Sequence, residues 1–191
     1  MGDVLTRIIG GSVGGRRLKT PAGVGTRPTS DRVREALFSA LESELGTLVG
    51  RLFVDVYAGS GAIGLEARSR GATTVTLVES DRAAAALIRA NASTLGLDRV
   101  QVVTAKAERW VARRPEGDAF DVAFLDPPYS MPVDTLTEVL VLLAQKGWLA
   151  PDAIVVLERA RRDPEWLWPV GFEGLRSRRY GETMLWYGRR S

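Results

Sequence analysis

The sequence predicts an α/β fold: a doubly wound, mostly parallel sheet with an antiparallel edge strand, plus a small N-terminal β-hairpin. Three observations predict it. From Leu52 onward, short apolar runs alternate with amphipathic stretches long enough to be crossover helices. A glycine-rich loop, Gly59-Ser60-Gly61-Ala62-Ile63-Gly64, follows the first run and opens the first of these helices. Acidic residues stand at or just beyond the ends of two further runs, Glu79 and Asp126, where an open α/β sheet holds its ligand.

In chain order, Arg7 to Leu18 reads as two short strands around a Gly-rich turn, a hairpin whose charged tip faces outward. Beyond Pro28, Thr29 or Ser30 is placed to cap a helix whose apolar positions Val33, Leu37, Ala40 and Leu41 follow helical spacing. Strands are expected over 52–56, 74–78, 100–104, 120–125 and 153–157, with helices beginning near Gly61, Asp81, Ala105 and Pro132. Continuous apolar strands of this kind belong to a parallel sheet covered on both faces. The tail over 172–187 has no helix-length insert and reads as a closing hairpin that turns near Tyr180-Gly181-Glu182, giving the antiparallel edge. Residues 1–25 are thus expected to form a hairpin extension and residues 26–191 the main domain.

A chain of 191 residues fits one domain with a small appendage. No apolar run approaches the ~20 residues of a membrane span, and the opening residues lack the pattern of a signal peptide, so a cytoplasmic protein is expected. The absences constrain chemistry further. With no Cys and no His, thiolate nucleophiles, His–Asp triads and zinc deamination are excluded, and no metal is expected. The net charge of +3 conceals an uneven distribution. Residues 1–34 hold seven basic and two acidic groups and residues 159–191 hold eight and four, whereas residues 35–158 hold eleven and seventeen. Basic flanks around an acidic core, with Arg as 23 of the 26 cations, point to a nucleic-acid partner.

The glycine loop matches G-x-G-x-x-G, and Glu79 ends the next strand as a ribose-binding acid does, which fits a nicotinamide cofactor. Asp55 weighs against that reading: a carboxylate four residues before the first glycine repels pyrophosphate. S-adenosylmethionine carries an ammonium and a sulfonium and no phosphate, so the same acid attracts it. Glu79 serves either cofactor by accepting hydrogen bonds from ribose hydroxyls.

The run Phe120 to Leu125 ends in Asp126-Pro127-Pro128-Tyr129. The exocyclic amine of a nucleobase has its lone pair delocalised into the ring and is a poor nucleophile. Asp126 and the Pro127 carbonyl can each accept one N–H, which aims the nitrogen at a methyl donor and stabilises its developing positive charge. The two prolines fix the backbone of that loop. Tyr129 can stack on a flipped or unpaired base, worth roughly 1–3 kcal/mol.

Together these residues resemble the bacterial 16S rRNA guanine-N2 methyltransferases of the RsmD type. The likeness also includes Arg7-Ile8-Ile9-Gly10-Gly11, Arg16-Arg17-Leu18, the run from Thr26 to Phe38, the run from Asp55 to Ala67, and Tyr180-Gly181-Glu182-Thr183. It implies a Rossmann-like class I S-adenosylmethionine-dependent methyltransferase fold, S-adenosyl-L-methionine as cofactor, and the guanine at position 966 of 16S rRNA in the 30S subunit or its assembly intermediate as target. A monomer is expected. Catalysis falls to Asp126, Pro127, Pro128 and Tyr129. The cofactor is expected on Thr29, Ser30, Asp31, Arg32, Asp55, Tyr57, Ala58, Gly59, Ser60, Gly61, Glu79 and Ser80. The end of the third strand lacks an acid for the adenine amine, so Ala107 or Glu108 is the expected adenine contact. RNA contacts are expected at Arg7, Arg16, Arg17, Lys19, Arg27, Arg34, Arg178 and Arg179. Two amine methylations, of adenine N6 in DNA and of release-factor glutamine, remain open from the residues, as does a non-catalytic assembly factor.

Overall fold

A computed structural model describes residues 6–20 and 30–191. The chain runs β1 (Thr6–Arg7), β2 (Arg17–Leu18), α1 (Asp31–Leu45), β3 (Leu52–Val56), α2 (Ala62–Ser69), β4 (Thr74–Glu79) and α3 (Arg82–Leu95). It continues through β5 (Val100–Thr104), α4 (Ala107–Val111), β6 (Phe120–Leu125), α5 (Val133–Gln145), β7 (Leu149–Ala160), β8 (Phe172–Tyr180) and β9 (Thr183–Arg190). Seven strands form one sheet in the order β5-β4-β3-β6-β7-β9-β8. The first five are parallel, and β9 pairs antiparallel with both β7 and β8. The winding reverses between β3 and β6, so the ligand-binding edge expected of a doubly wound sheet lies beyond Val56 and Leu125.

Alternation along the strands divides the core into two layers. Val54, Val56, Ala123, Leu125, Val155 and Leu157 face α4 and α5, including Leu136, Leu140 and Leu143. Phe53, Phe124, Ile154 and Val156 face the other way, against Leu37, Phe38 and Leu41 of α1 and Ile88 of α3. Ser30 caps α1 by accepting a hydrogen bond from the Val33 amide at 3.3 Å, and Asp81 caps α3 through the Ala84 amide at 2.7 Å. No helix of the described residues is long and apolar enough to cross a membrane.

Three details differ from the sequence reading. The helix after the third strand is only five residues long, because Pro115 and Gly117 follow too closely for it to continue. Strand β7 starts four residues earlier than expected and ends three later; the register shifts opposite β6, and Asp152 takes a left-handed conformation at φ 60°. The hairpin lies against the body rather than projecting from it. Glu66, fully buried on α2, accepts the Ile9 and Gly10 amides at 2.7 and 2.8 Å. Ser69 Oγ donates to the Gly10 carbonyl at 2.6 Å, and Ile8 and Leu18 pack on Leu65, Ala92 and Leu95. The boundary expected between residues 25 and 26 lies outside the described residues.

Candidate active site

The loop after β3 is built from left-handed turns: Tyr57, Gly59 and Gly61 have φ of 68°, 54° and 78°. A Cβ on Gly59 would project into open space, so the backbone offers a bare surface to a ligand there. At Gly64 a Cβ would come within 2.6 Å of the Leu77 side chain, so α2 packs this closely on the sheet only with glycine at that position. Glu79 ties the loop to the next strand: its Oε2 accepts the Gly59 amide and its Oε1 the Asp81 amide, both at 2.7 Å. Ala58 is buried, while Gly59 and Ser80 are exposed and Ser60 partly so.

Asp55 departs from expectation in one respect. It sits beneath the loop, 1% exposed, with Oδ2 accepting the Gly64 amide at 2.8 Å. Burial pushes its carboxyl up to about 8 against the pull of that amide, with Asp126 and Glu79 adding to the rise. It is therefore a buried acid that holds the start of α2 in place.

Asp126 follows β6 directly, its amide donating to the Val56 carbonyl at 3.3 Å, so the carboxylate stands beside the glycine loop at the point where the winding reverses. Burial raises it to about 7, and the Arg159 guanidinium opposes the rise. Pro127 is buried, Pro128 is exposed, and the Tyr129 ring is 53% exposed. The turn closes when the Met131 amide donates to the Pro128 carbonyl at 2.9 Å. Tyr57 joins the two loops by donating its hydroxyl to Met131 Sδ at 3.3 Å. Burial raises the Tyr57 hydroxyl well above its usual range, and the charge of Glu108, in the first turn of α4, adds to this. Ala107 is buried at the start of that helix.

The remaining expected residues divide. Asp31 is exposed and pairs with Arg7 at 3.1 Å and with Arg34 at 2.7 Å. Ser30 and Arg32 line a cavity of about 300 Å³ with Arg179, Tyr180 and Gly181, at the turn between β8 and β9. Thr29 and Arg27 lie outside the described residues. Arg17, Lys19, Arg178 and Arg179 are exposed, as an RNA surface needs. Arg16 is exposed but bound to the end of α3, donating to the Thr94 and Leu95 carbonyls at 2.7 and 3.0 Å. Arg34 is a correction: it is fully buried and donates to the Arg7 carbonyl at 2.7 Å, so it is a structural cation rather than an RNA contact. The helical period that buries Val33 and Leu37 already turns position 34 inward.

Sequence reasoning missed Met131 and Arg159. Arg159 was discoverable, since it stands at the carboxyl end of a strand that runs parallel to β6, the same signal that marks Glu79 and Asp126.

Comparison with known proteins places the chain. Residues 6–189 match the family described as conserved hypothetical protein 95. The chain is 41% identical over 152 residues to ribosomal RNA small subunit methyltransferase D of Escherichia coli, covering 80% of this chain and 73% of that protein. The protein of the same name from Haemophilus influenzae is 34% identical over 165 residues, 83% of this chain and 80% of its own length. The solved structure of yhhF from Escherichia coli superposes with a TM-score of 0.85 at 34% identity, over 97% of this chain and 98% of that one.

Proposed function

The chain belongs to the family of ribosomal RNA small subunit methyltransferase D, and from that premise we propose that it methylates the N2 amine of a guanine in 16S rRNA, using S-adenosylmethionine. The observation that carries the reading is the placement of Asp126, stiffened by two prolines, beside a glycine loop at the reversal of the winding, with the half-exposed Tyr129 three residues on. The cofactor fits the residues present. Gly59 leaves a bare surface, Glu79 stands at a strand tip where it can meet ribose hydroxyls, and the carboxyl groups of Glu79 and Asp126 at the strand ends suit a ligand that carries an ammonium and a sulfonium.

S-adenosylmethionine, when bound, supplies an activated methyl group. The chain's own residues do the rest. Asp126 accepts one N–H of the guanine amine and the Pro127 carbonyl is positioned to accept the other, which turns the nitrogen toward its target. The positive charge that develops on nitrogen is stabilised by the Asp126 carboxylate in a partly dehydrated cleft. Because Pro127 and Pro128 fix their φ angles, these acceptors are in place before the base arrives. Tyr129 covers the face of the base, and Tyr57, bonded to Met131, keeps the two loops in register. The exposed cations Arg17, Lys19, Arg178 and Arg179 hold the RNA backbone of the small subunit.

Transfer of labelled methyl groups to small ribosomal subunits tests the proposal. Asp126→Ala is expected to abolish transfer while leaving cofactor affinity within a few-fold of wild type by calorimetry. Normal transfer by that variant would remove Asp126 from the chemistry.

A further inference from the structure

The strand next to the reacting loop ends in a buried cation that the mechanism above leaves unused. Strands β6 and β7 are parallel with Leu125 opposite Leu157. Asp126 therefore stands beside Glu158, and Arg159 comes next along the same ligand-binding edge. Arg159 is 7% exposed. Its Nη2 lies 2.9 Å from Asp163 Oδ2, too poorly aligned for a hydrogen bond, because Asp163 Oδ2 is left without one. Nη1 of Arg159 and Nε1 of Trp166 are likewise buried without a hydrogen-bond partner. Buried polar atoms are normally satisfied, and a guanidinium held out of water with an open donor is costly. Three such atoms lie within eight residues, at the end of β7 and on the segment that leaves it.

We propose that Arg159 reads the O6 carbonyl of the target guanine: its Nη2 stays with Asp163 while its unpartnered Nη1 donates to the base. This inference rests on the guanine-N2 reading above. Guanine carries an amine at C2 and a carbonyl at C6 on one edge, separated by N1–H. A carboxylate that takes the amine and a cation that takes the carbonyl are the complement of that edge, and Asp126 and Arg159 are neighbours in that sense. Adenine presents an amino group where the carbonyl would be, and its N–H would face a guanidinium that has no acceptor to offer. The parallel register that sets Leu125 opposite Leu157 puts the two groups on adjacent strand ends, one residue out of step, and the Arg159 charge favours the ionised form of Asp126. Arg159 is thus a specificity-determining residue.

The test uses the full-length protein and reconstituted small subunits whose target nucleotide is either guanosine or 2-aminopurine riboside. The analogue keeps the C2 amine and lacks O6. Its missing N1–H weighs on every enzyme variant alike and cancels from the comparison. Single-turnover rates for the wild-type enzyme are expected to favour guanosine by roughly ten- to a hundredfold. Arg159→Met is expected to lose most of that preference by slowing on guanosine. Arg159→Lys keeps the pairing with Asp163, so it guards against misfolding, and it is expected to lose the preference too, because one ammonium cannot serve both partners. An undiminished preference in folded Arg159→Lys, or no preference in the wild type, overturns the assignment. If the wild type forms no N2-methylguanosine on the guanosine substrate, the guanine reading itself fails and this inference with it.

Discussion

Replacing Asp126 by Asn should change the pH dependence of methyl transfer as well as its rate. Only the ionised carboxylate accepts an N–H as an anion, and burial raises its titration to about 7, with Arg159 opposing the rise. Asp126 keeps some exposed surface at the cleft, yet the protein around it is deep enough to disfavour the charge. Below that midpoint the active fraction falls about tenfold per pH unit, so at pH 6 roughly a tenth of the enzyme is competent. An ordinary surface carboxylate would already be fully ionised there. The Asn side chain offers a neutral acceptor of the same shape, and losing a charge-assisted hydrogen bond in the transition state costs about 1.5–3 kcal/mol, or roughly ten- to a hundredfold in rate. Single-turnover transfer to small subunits between pH 5.5 and 8.5 is the assay. The wild type is expected to rise to a plateau above pH 7, and Asp126→Asn to be slow and flat over the same range. A flat wild-type profile, or a variant that retains the slope, would refute the reasoning.

Other expectations follow from the same geometry. The native state holds a proton on Asp55 up to about pH 8, whereas the unfolded chain releases it near the ordinary value of 3.8; stability contributed by this group is therefore lost as pH rises across that window, by up to about 1.4 kcal/mol per unit. Asp55→Asn should flatten the decline in urea midpoints between pH 5 and 8, and parallel curves would contradict this. Binding of the cationic cofactor should draw that proton off Asp55, so calorimetry near pH 7 in buffers of different ionisation enthalpy should show proton release, which Asp55→Asn should diminish. Glu66→Gln should lower stability by about 2–3 kcal/mol, since an amide cannot accept from Ile9, Gly10 and Arg70 together; amide hydrogen exchange at Ile9 and Gly10 should quicken, and unchanged protection would argue against a docked hairpin. Reversing the charges of Arg17 and Lys19 should weaken RNA binding and reduce its salt dependence by about two counterions, and an unaltered salt slope would free both residues of that role.

The sequence was most legible where one physical signal sufficed. Strands β3, β5 and β6 have the limits expected from their apolar runs, because each run is ended by a turn or a charge and needs no distant partner to define it. The glycine loop and Asp126 were legible because their chemistry is tied to a place, the carboxyl end of a parallel strand. What could not be read depends on contacts between segments far apart in the chain. Glu66 looks like an exposed helical acid until the hairpin, 56 residues away, supplies two amides. The burial of Asp55 beneath the loop depends on α2 packing closely over it, a contact that Gly64 permits and that no local pattern announces. The strand expected over 153–157 runs from Leu149 to Ala160, absorbing Pro151 and Asp152 in an irregularity that only its pairing with β6 reveals.

The destination of the methyl group is the most direct test of the proposed activity. Small subunits lacking the modification, incubated with the purified protein and labelled S-adenosylmethionine, should yield one labelled nucleoside after digestion, N2-methylguanosine, as identified by mass spectrometry. Label in methyladenosine, label in protein, or no transfer to the rRNA would contradict it.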